Sequence, residues 1–400
     1  AVVPYGGPLV LPFYGQVTVF GRPINIQMAN LDVGVLFIFA ITALGVYGVG
    51  MGIAHISVVQ SHPAIASTGS GTCVIAWEQG GDIVAQRLTS SGATSWSTSP
   101  VVVCNATGNQ NNPTICADGS GGAIVAWHDA RGAAADVYAQ HVLATGAVDA
   151  AWPANGRQVC GATNAQYTPA ILPDAAGGAL IAWADYRSGT DYDVYAHRVL
   201  ANGTLDPAWP TDGRAVATGT MSQSSIQLTS DGGTGAIVTW EGFPASDGSD
   251  LWAHHLSRAG VLDAAWPAGG KQYCFGVHSQ TQVSVVPDGS GGIYAAWMDM
   301  RNGTGATNAD IYAHHIPSTG QPDWALGEVA VCNASGEQMS PQLVADPAGG
   351  VYVFWQDKRG GNVYEIYAQR LQSSGVVASG WPANGLAMCA LGTSSYQPQA

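Results

Sequence analysis

DVYAQHVLATGAVDAAWPANGRQVC occupies residues 136–160, and DVYAHRVLANGTLDPAWPTDGRAVA occupies residues 193–217. The second is a lightly edited copy of the first. Tryptophan positions count the copies. One series is Trp77, Trp127, Trp183, Trp240, Trp297 and Trp355; a second is Trp96, Trp152, Trp209, Trp266, Trp324 and Trp381. The thirteenth, Trp252, stands where other copies have Tyr138, Tyr195, Tyr312 and Tyr367. There are therefore six copies, and the period read from the first series lies between 50 and 58. Such a period marks supersecondary units that bury their cores by stacking on one another.

Spacing inside the unit separates scaffold from loop. The step from the second Trp to a small marker residue (Cys104, Cys160, Ala217, Cys274, Cys332, Cys389) is always 8, and the step from that marker to the next first Trp is always 23. From the first Trp to the acidic residue that opens D-V-Y-A (Asp82, Asp136, Asp193, Asp250, Asp310, Glu365) the count instead runs 5, 9, 10, 10, 13, 10. Constant spacings indicate packed strands, and a variable one indicates a surface loop.

In copy two, PTICADGSGGAIVAW reads as a hairpin of strands A and B closed by Asp118–Gly122, because Asp and Gly supply the positive-φ positions of a tight turn. DVYAQHVL reads as strand C. Thr145-Gly146 turns the chain toward a short strand D ending at Val159-Cys160. The fold class predicted is all-β, a β-propeller with six repeats of about 57 residues visible, over residues 55–400, and Tyr396-Gln397-Pro398 opens a seventh strand A at 394–400. A β-solenoid or a row of small sandwiches fits the same period. The chain begins without Met and stops inside a repeat, so it is expected to be part of a longer one.

The pattern W-x-D-x-R…D-I/V-Y-A-Q/H over residues 60–400 resembles a repeat of large secreted bacterial proteins, which implies propeller-like blades and an extracytoplasmic, periplasmic or extracellular location, and names no substrate.

Residues 1–54 differ from the rest. Val33–Ala54, VGVLFIFAITALGVYGVGMGIA, carries no charge and is long enough for one transmembrane helix. VFGRPINIQMANLDVGVLFIFAITALGVYGVGMG, residues 19–52, resembles a segment of the H subunit of NADH-quinone oxidoreductase, a membrane component of complex I. The resemblance implies shared ancestry of this segment or an artificial join. The apolar run carries no Asp, Glu, Lys, Arg or His, so the signature of a proton path is missing, and no quinone-site residue carries over.

The chain has 13 basic against 27 acidic residues, a formal charge of −14, which disfavours nucleic acid as a partner. Of seven Cys, five share the marker position, where rotation about a propeller axis sets them beyond disulfide reach; they are read as small buried apolar residues. Cys73 and Cys116 fall outside that series. W-x-D-x-R supplies Asp129/Arg131, Asp185/Arg187, Asp299/Arg301 and Asp357/Arg359 as ligand-face candidates, weighed against pairs that close their own hairpins. The longer loops are rich in Asp, Asn and Gly and make Ca²⁺ the candidate cation, although no D-x-D-x-D-G loop occurs. His197, His254 and His314 alternate with Gln between copies, and His141, His255 and His315 with Arg, which marks polar strand positions rather than metal ligands. No catalytic constellation or cofactor motif stands out. The expected activity is binding of a protein or glycan on the face formed by the B–C loops. A propeller enzyme acting on an extracellular substrate and a fragment of the complex I membrane component are the alternatives.

Overall fold

Strand B of copy two, Ala123–Asp129, is buried along its whole length. Its alternate side chains enter two cores. Val125 and Trp127 pack with Val74, Ala76, Ile83 and Cys104 of copy one, while Ile124 and Ala126 pack with Ile181, Trp183 and Val199 of copy three. A strand covered on both faces needs apolar residues on both, so its sequence runs Ala-Ile-Val-Ala-Trp without alternation. Around it lie strand A (Gln110–Ala117), strand C (Asp136–Val142) and strand D (Arg157–Cys160), antiparallel in the order A-B-C-D. Asp118 closes the A–B turn: its Oδ1 accepts from the N–H groups of Ser120 at 2.6 Å and Gly122 at 2.9 Å.

The structure is a computed structural model and describes residues 59–389 other than 98, 245–247, 303–308, 322, 326 and 362, together with the backbone of four short strands further upstream, Phe13–Val19, Arg22–Met28, Ile41–Thr42 and Val46–Tyr47. From Gln60 to Cys389 it forms six four-stranded antiparallel sheets, one per copy, all in the order A-B-C-D: a β-propeller-like series of blades. Strands A of neighbouring blades touch throughout, with Gln227 Nε2 donating to Val283 O at 2.6 Å, for example. Strand A is therefore the axial edge of each blade and strand D the outer edge.

Both tryptophan series lie between blades, except at the two ends, where Trp77 packs within blade one and Trp381 stands beyond the last described junction. Trp127, Trp183, Trp240, Trp297 and Trp355 are fully buried; Trp77, Trp152, Trp209, Trp266 and Trp324 are buried as well, and Trp96 and Trp381 are partly so. Burying roughly 200 Å² of one such side chain is worth at most about 5 kcal/mol. The second series reaches forward. Trp152 Nε1 donates to Ala201 O at 3.0 Å and its ring lies against Gly203 in the C–D turn of the next blade; Trp209, Trp266 and Trp324 repeat the bond to Arg258 O, Ser318 O and Ser373 O. Gly203 has φ +76, and a Cβ there would lie 2.7 Å from the Trp152 ring, so this turn requires glycine.

Cys73, Cys104, Cys116, Cys160, Cys274 and Cys332 are all free and buried, so the four marker cysteines whose side chains are described form no disulfide, and Cys73 and Cys116 do not pair. The Cys389 side chain and the seventh strand expected at 394–400 lie outside the described residues. So does the apolar run at 33–54, apart from the paired strands Ile41–Thr42 and Val46–Tyr47. The expected transmembrane helix is not among the elements seen, and no helix of the described residues is long and apolar enough to cross a membrane.

Candidate functional site

The B–C loops and the D–A links share one edge of the blades. The link from blade one into blade two runs between two B–C loops: Gln110 N donates to Gly81 O at 2.8 Å, and Ala130 N donates to Asn109 O at 2.9 Å. Gln166 N to Ala135 O (2.7 Å) and Tyr186 N to Ala165 O (2.9 Å) repeat the arrangement at the next junction, as do Gln280 N to Ser249 O and Met300 N to Ser279 O further on. The A–B and C–D turns lie together on the other edge, where Arg198 bridges Asp174 of its A–B turn and Asp206 of its C–D turn. The described bases of all six variable loops therefore lie on one face.

A glutamine recurs in every copy at a fixed step of 17 before the first Trp, and Gln110, Gln166, Gln223, Gln280 and Gln338 are buried. The amide of Gln110 donates to Ala106 O and Gly108 O, pinning the link that leads into its strand. Just beyond that glutamine, every strand A carries a bulge with a non-glycine residue at positive φ: His62 (49°), Asn112 (50°), Thr168 (47°), Ser225 (52°), Gln282 (54°) and Ser340 (53°). Such a residue costs on the order of 1–3 kcal/mol, and strain of this kind gathers at binding sites. Here it falls near the axis on the loop face, once per blade.

The candidate Asp–Arg pairs are sealed into their blades. Asp185 accepts from Trp183 Nε1 at 2.7 Å, from Arg187 N at 2.9 Å, and from Arg187 Nε and Nη2 at 2.8 and 2.6 Å. Arg187 also donates to Asp212 O at 2.7 Å and lies 3.7 Å over the Tyr195 ring. Asp129/Arg131 on Tyr138, Asp299/Arg301 on Tyr312 and Asp357/Arg359 on Tyr367 repeat the arrangement. All four carboxylates are buried, and each pair stays in its own B–C loop, so the four do not converge. Trp, Asp, Arg and Tyr act as one unit, and copies that lack the Arg also lack the Tyr. Blade four has Gly242 for the Asp and no Arg; Met221 and Trp252 pack against Gly242 instead, leaving Trp240 Nε1 without a partner.

The marker cysteines need a correction. They are buried, as read, but they are not merely apolar filler: Cys104 Sγ lies 3.2 Å from Arg131 Nη2 and Cys332 Sγ 3.0 Å from Arg359 Nη2. Burial pushes the Cys104 thiol up to about 11 and Cys160 to about 12, so neither is a nucleophile at neutral pH.

The position after the first Trp ties blade to blade. Glu78 Oε1 accepts from the bulge N–H of Asn112, and Glu241 Oε1 from that of Gln282 at 3.0 Å. The two carboxyls part company. Burial would raise Glu78, but bonds from Asn112, Ser61 and His62 outweigh it and hold it below the ordinary range; burial of Glu241 prevails and raises it.

The histidines that alternate with Arg are held as an arginine would be. His141 meets Asp149 at 2.8 Å and Asp118 at 3.0 Å, while His255 and His315 bridge corresponding aspartates. Among the described residues no three His, Cys, Asp or Glu side chains form a metal site; residues 303–308 of the longest loop lie outside them.

No family model matches the chain. A 52-residue stretch is 44% identical to an NADH-quinone oxidoreductase H subunit of Geobacter metallireducens, covering 13% of each chain, and a 43-residue stretch is 49% identical to the corresponding protein of Geobacter sulfurreducens, covering 11% of this chain and 13% of that one. The chain thus spans about an eighth of the length of the curated relatives it matches. Among solved structures, a polysaccharide lyase of family PL25, an ulvan lyase bound to -[GlcA(1-4)Rha3S]-, superposes with a TM-score of 0.51 at 10% identity over 79% of this chain and 81% of that one. An α-L-arabinanase of Penicillium chrysogenum complexed with arabinobiose gives 0.42 at 11% identity over 79% and 94%. At 10% identity the likeness to the ulvan lyase is one of fold alone, and it agrees with a propeller-like series of blades.

Proposed function

We propose that this chain is an extracytoplasmic binding module, membrane-anchored through residues 33–54, that holds its ligand on the loop face of its propeller-like blades. One observation carries the reading: most of the length variation of six copies, a step of 5 to 13, lies in loops whose bases share a single face above six strained bulges, while the stretch holding the C–D turn changes only between 14 and 16 and the other steps are constant. Binding surfaces are built from loops free to vary on a rigid support. The ligand is a glycan in preference to a protein, since the ulvan lyase of similar fold carries a bound saccharide. Nucleic acid is disfavoured by the charge of −14. The Asp–Arg pairs belong to this face as braces that set the loop bases, and Ca²⁺ is the cation to test on the longest loop. The similarity of the first residues to a complex I protein is too short to bring the work of complex I with it.

Replacing the loop Met298–Asp310 with the short loop Glu78–Asp82 tests the assignment. Folding is expected to survive and ligand capture on immobilised glycans to change. Loss of folding, or capture of the same ligands with the same affinity after each of the six loops is shortened in turn, overturns it.

A further inference from the structure

We propose that blade three carries a stacking subsite for a neutral glycan, formed by Tyr167, Tyr186 and Tyr192 with His128 at its base; this rests on the loop face assigned above. Six copies of one scaffold separate what folding needs from what it does not. Where Tyr167 stands, the other copies have Ser, Asn, Thr or Met; where Tyr186 stands, Gly, Ala, Phe, Met or Lys; where Tyr192 stands, Gly, Ala, Ser or, once, Tyr. The blade folds without these rings, yet copy three has all of them.

They also converge. Tyr186 and Tyr192 have centroids 4.9 Å apart, Tyr192 and Tyr167 6.3 Å, and Tyr167 meets the His128 ring edge-on at 5.2 Å. The rings come from three places: the end of strand B in blade two, the start of strand A in blade three beside the bulge at Thr168, and the B–C loop between Asp185 and Asp193. The backbone at each tyrosine of that loop is fixed, by Tyr186 N to Ala165 O (2.9 Å), Tyr192 N to Ser222 Oγ (3.2 Å) and Gln223 N to Tyr192 O (2.7 Å). The three tyrosines are only partly buried, so ring surface remains open to a ligand.

His128 supplies the polar group. It is 8% exposed and its Nδ1 is buried without a partner, an arrangement that costs about 1–3 kcal/mol unless something bonds there. Burial lowers its pKa, so the ring is neutral at pH 7 and can accept or donate a hydrogen bond to a hydroxyl. An apolar ring face for the C–H side of a sugar, rimmed by phenol hydroxyls and one buried imidazole nitrogen, is the composition of a carbohydrate subsite. Charge selects the class. Arg187, the cation of this loop, is spent on Asp185; of the charges that act on His128, Glu78 and Asp129 are acidic, and the third, His62, is itself paired with Glu78 at 2.9 Å. Among these described residues a uronate or sulfate meets no unpaired counter-charge, so the ligand is uncharged.

The test measures binding of the whole chain to soluble arabinan and galactan, as neutral polymers, and to polygalacturonate, by affinity electrophoresis and calorimetry. Binding to a neutral polymer is expected, weakened at least tenfold in Y186A and in Y192A and retained within threefold in Y192F, which keeps the ring. If Y186A, Y192A and the double variant bind as the wild type does while loop shortening elsewhere abolishes binding, the face stands and this subsite falls. If no neutral polymer binds, or polygalacturonate binds more tightly, the ligand class is wrong. Circular dichroism of each variant shows that the fold is retained; should Y192A unfold, Y186A and H128F carry the same decision.

Discussion

Removing the Asp185 carboxylate should destabilise blade three through the loss of a brace rather than of a ligand contact. Four N–H hydrogen bonds end on it, from Trp183 Nε1 and three nitrogens of Arg187, beside a longer one from Cys160 Sγ at 3.8 Å. D185A strands the fully buried Trp183 N–H, at about 1–3 kcal/mol, and leaves a guanidinium that has lost its counter-charge. Breaking a buried pair by removing one member costs about 3–5 kcal/mol, but the Arg187 side chain is 22% exposed, so water recovers part of that. The expected loss for D185A is therefore about 3 kcal/mol. Removing both partners leaves no uncompensated charge, so D185A/R187A should lose less than D185A alone. Urea unfolding followed by tryptophan fluorescence reads both, with hydrogen exchange in strands Ala179–Asp185 and Asp193–Val199 locating the damage. A loss below about 0.5 kcal/mol for D185A, the scatter of neutral surface changes, or intact stability with loss of ligand, would refute the reasoning and return the pair to the ligand-contacting groups.

Two further expectations concern the opposite edge. Burial opposes a charge on His255, but hydrogen bonds to Asp263 and Asp231 outweigh it and raise its pKa in the fold; stability from this site is full below about pH 6.5, the unfolded value, and is lost as pH rises through the folded one. H255R should thus flatten the fall in melting temperature above pH 7, where His314, lowered by burial to about 4, no longer titrates; an unchanged slope would count against the clasp. G203A forces a Cβ into the Trp152 ring at a φ of +76 and should cost about 2 kcal/mol, with a red shift in tryptophan emission; a neutral result in the same urea titration would contradict the forward clasp.

The parts of the fold that repeat were legible because packing enforces them. The constant steps of 8 and 23 hold the two Trp series at the two contacts each blade makes, and Asp118 with its glycines announces the A–B turn. The Asp–Arg pairs were legible as a motif, but their chemistry is decided by Trp183 Nε1 and the Tyr195 ring, which reach the carboxylate and guanidinium only once strands B and C are paired. The strand A bulge escaped because Thr168 is an ordinary strand former; the signals available were the Gln that recurs 17 before each first Trp and the Pro that follows the bulge in four copies, Pro63, Pro113, Pro169 and Pro341. The tyrosine cluster is invisible in one dimension: Tyr167 and Tyr192 are far apart along the chain, and His128 belongs to another blade. The cysteines were read by size alone, and the neighbouring guanidinium comes from the following copy.

The forward reach of Trp152, Trp209, Trp266 and Trp324 makes every junction a copy of every other. Each unit carries a plug at its end and, in its own C–D turn, the socket that takes the plug of the unit before. A stretch of gene encoding one period can then be duplicated or excised in frame, and the new junction is already complementary, with no second mutation needed to repair it. Lineages with such a unit can change blade number by recombination alone, and natural selection is left free to work on the loops.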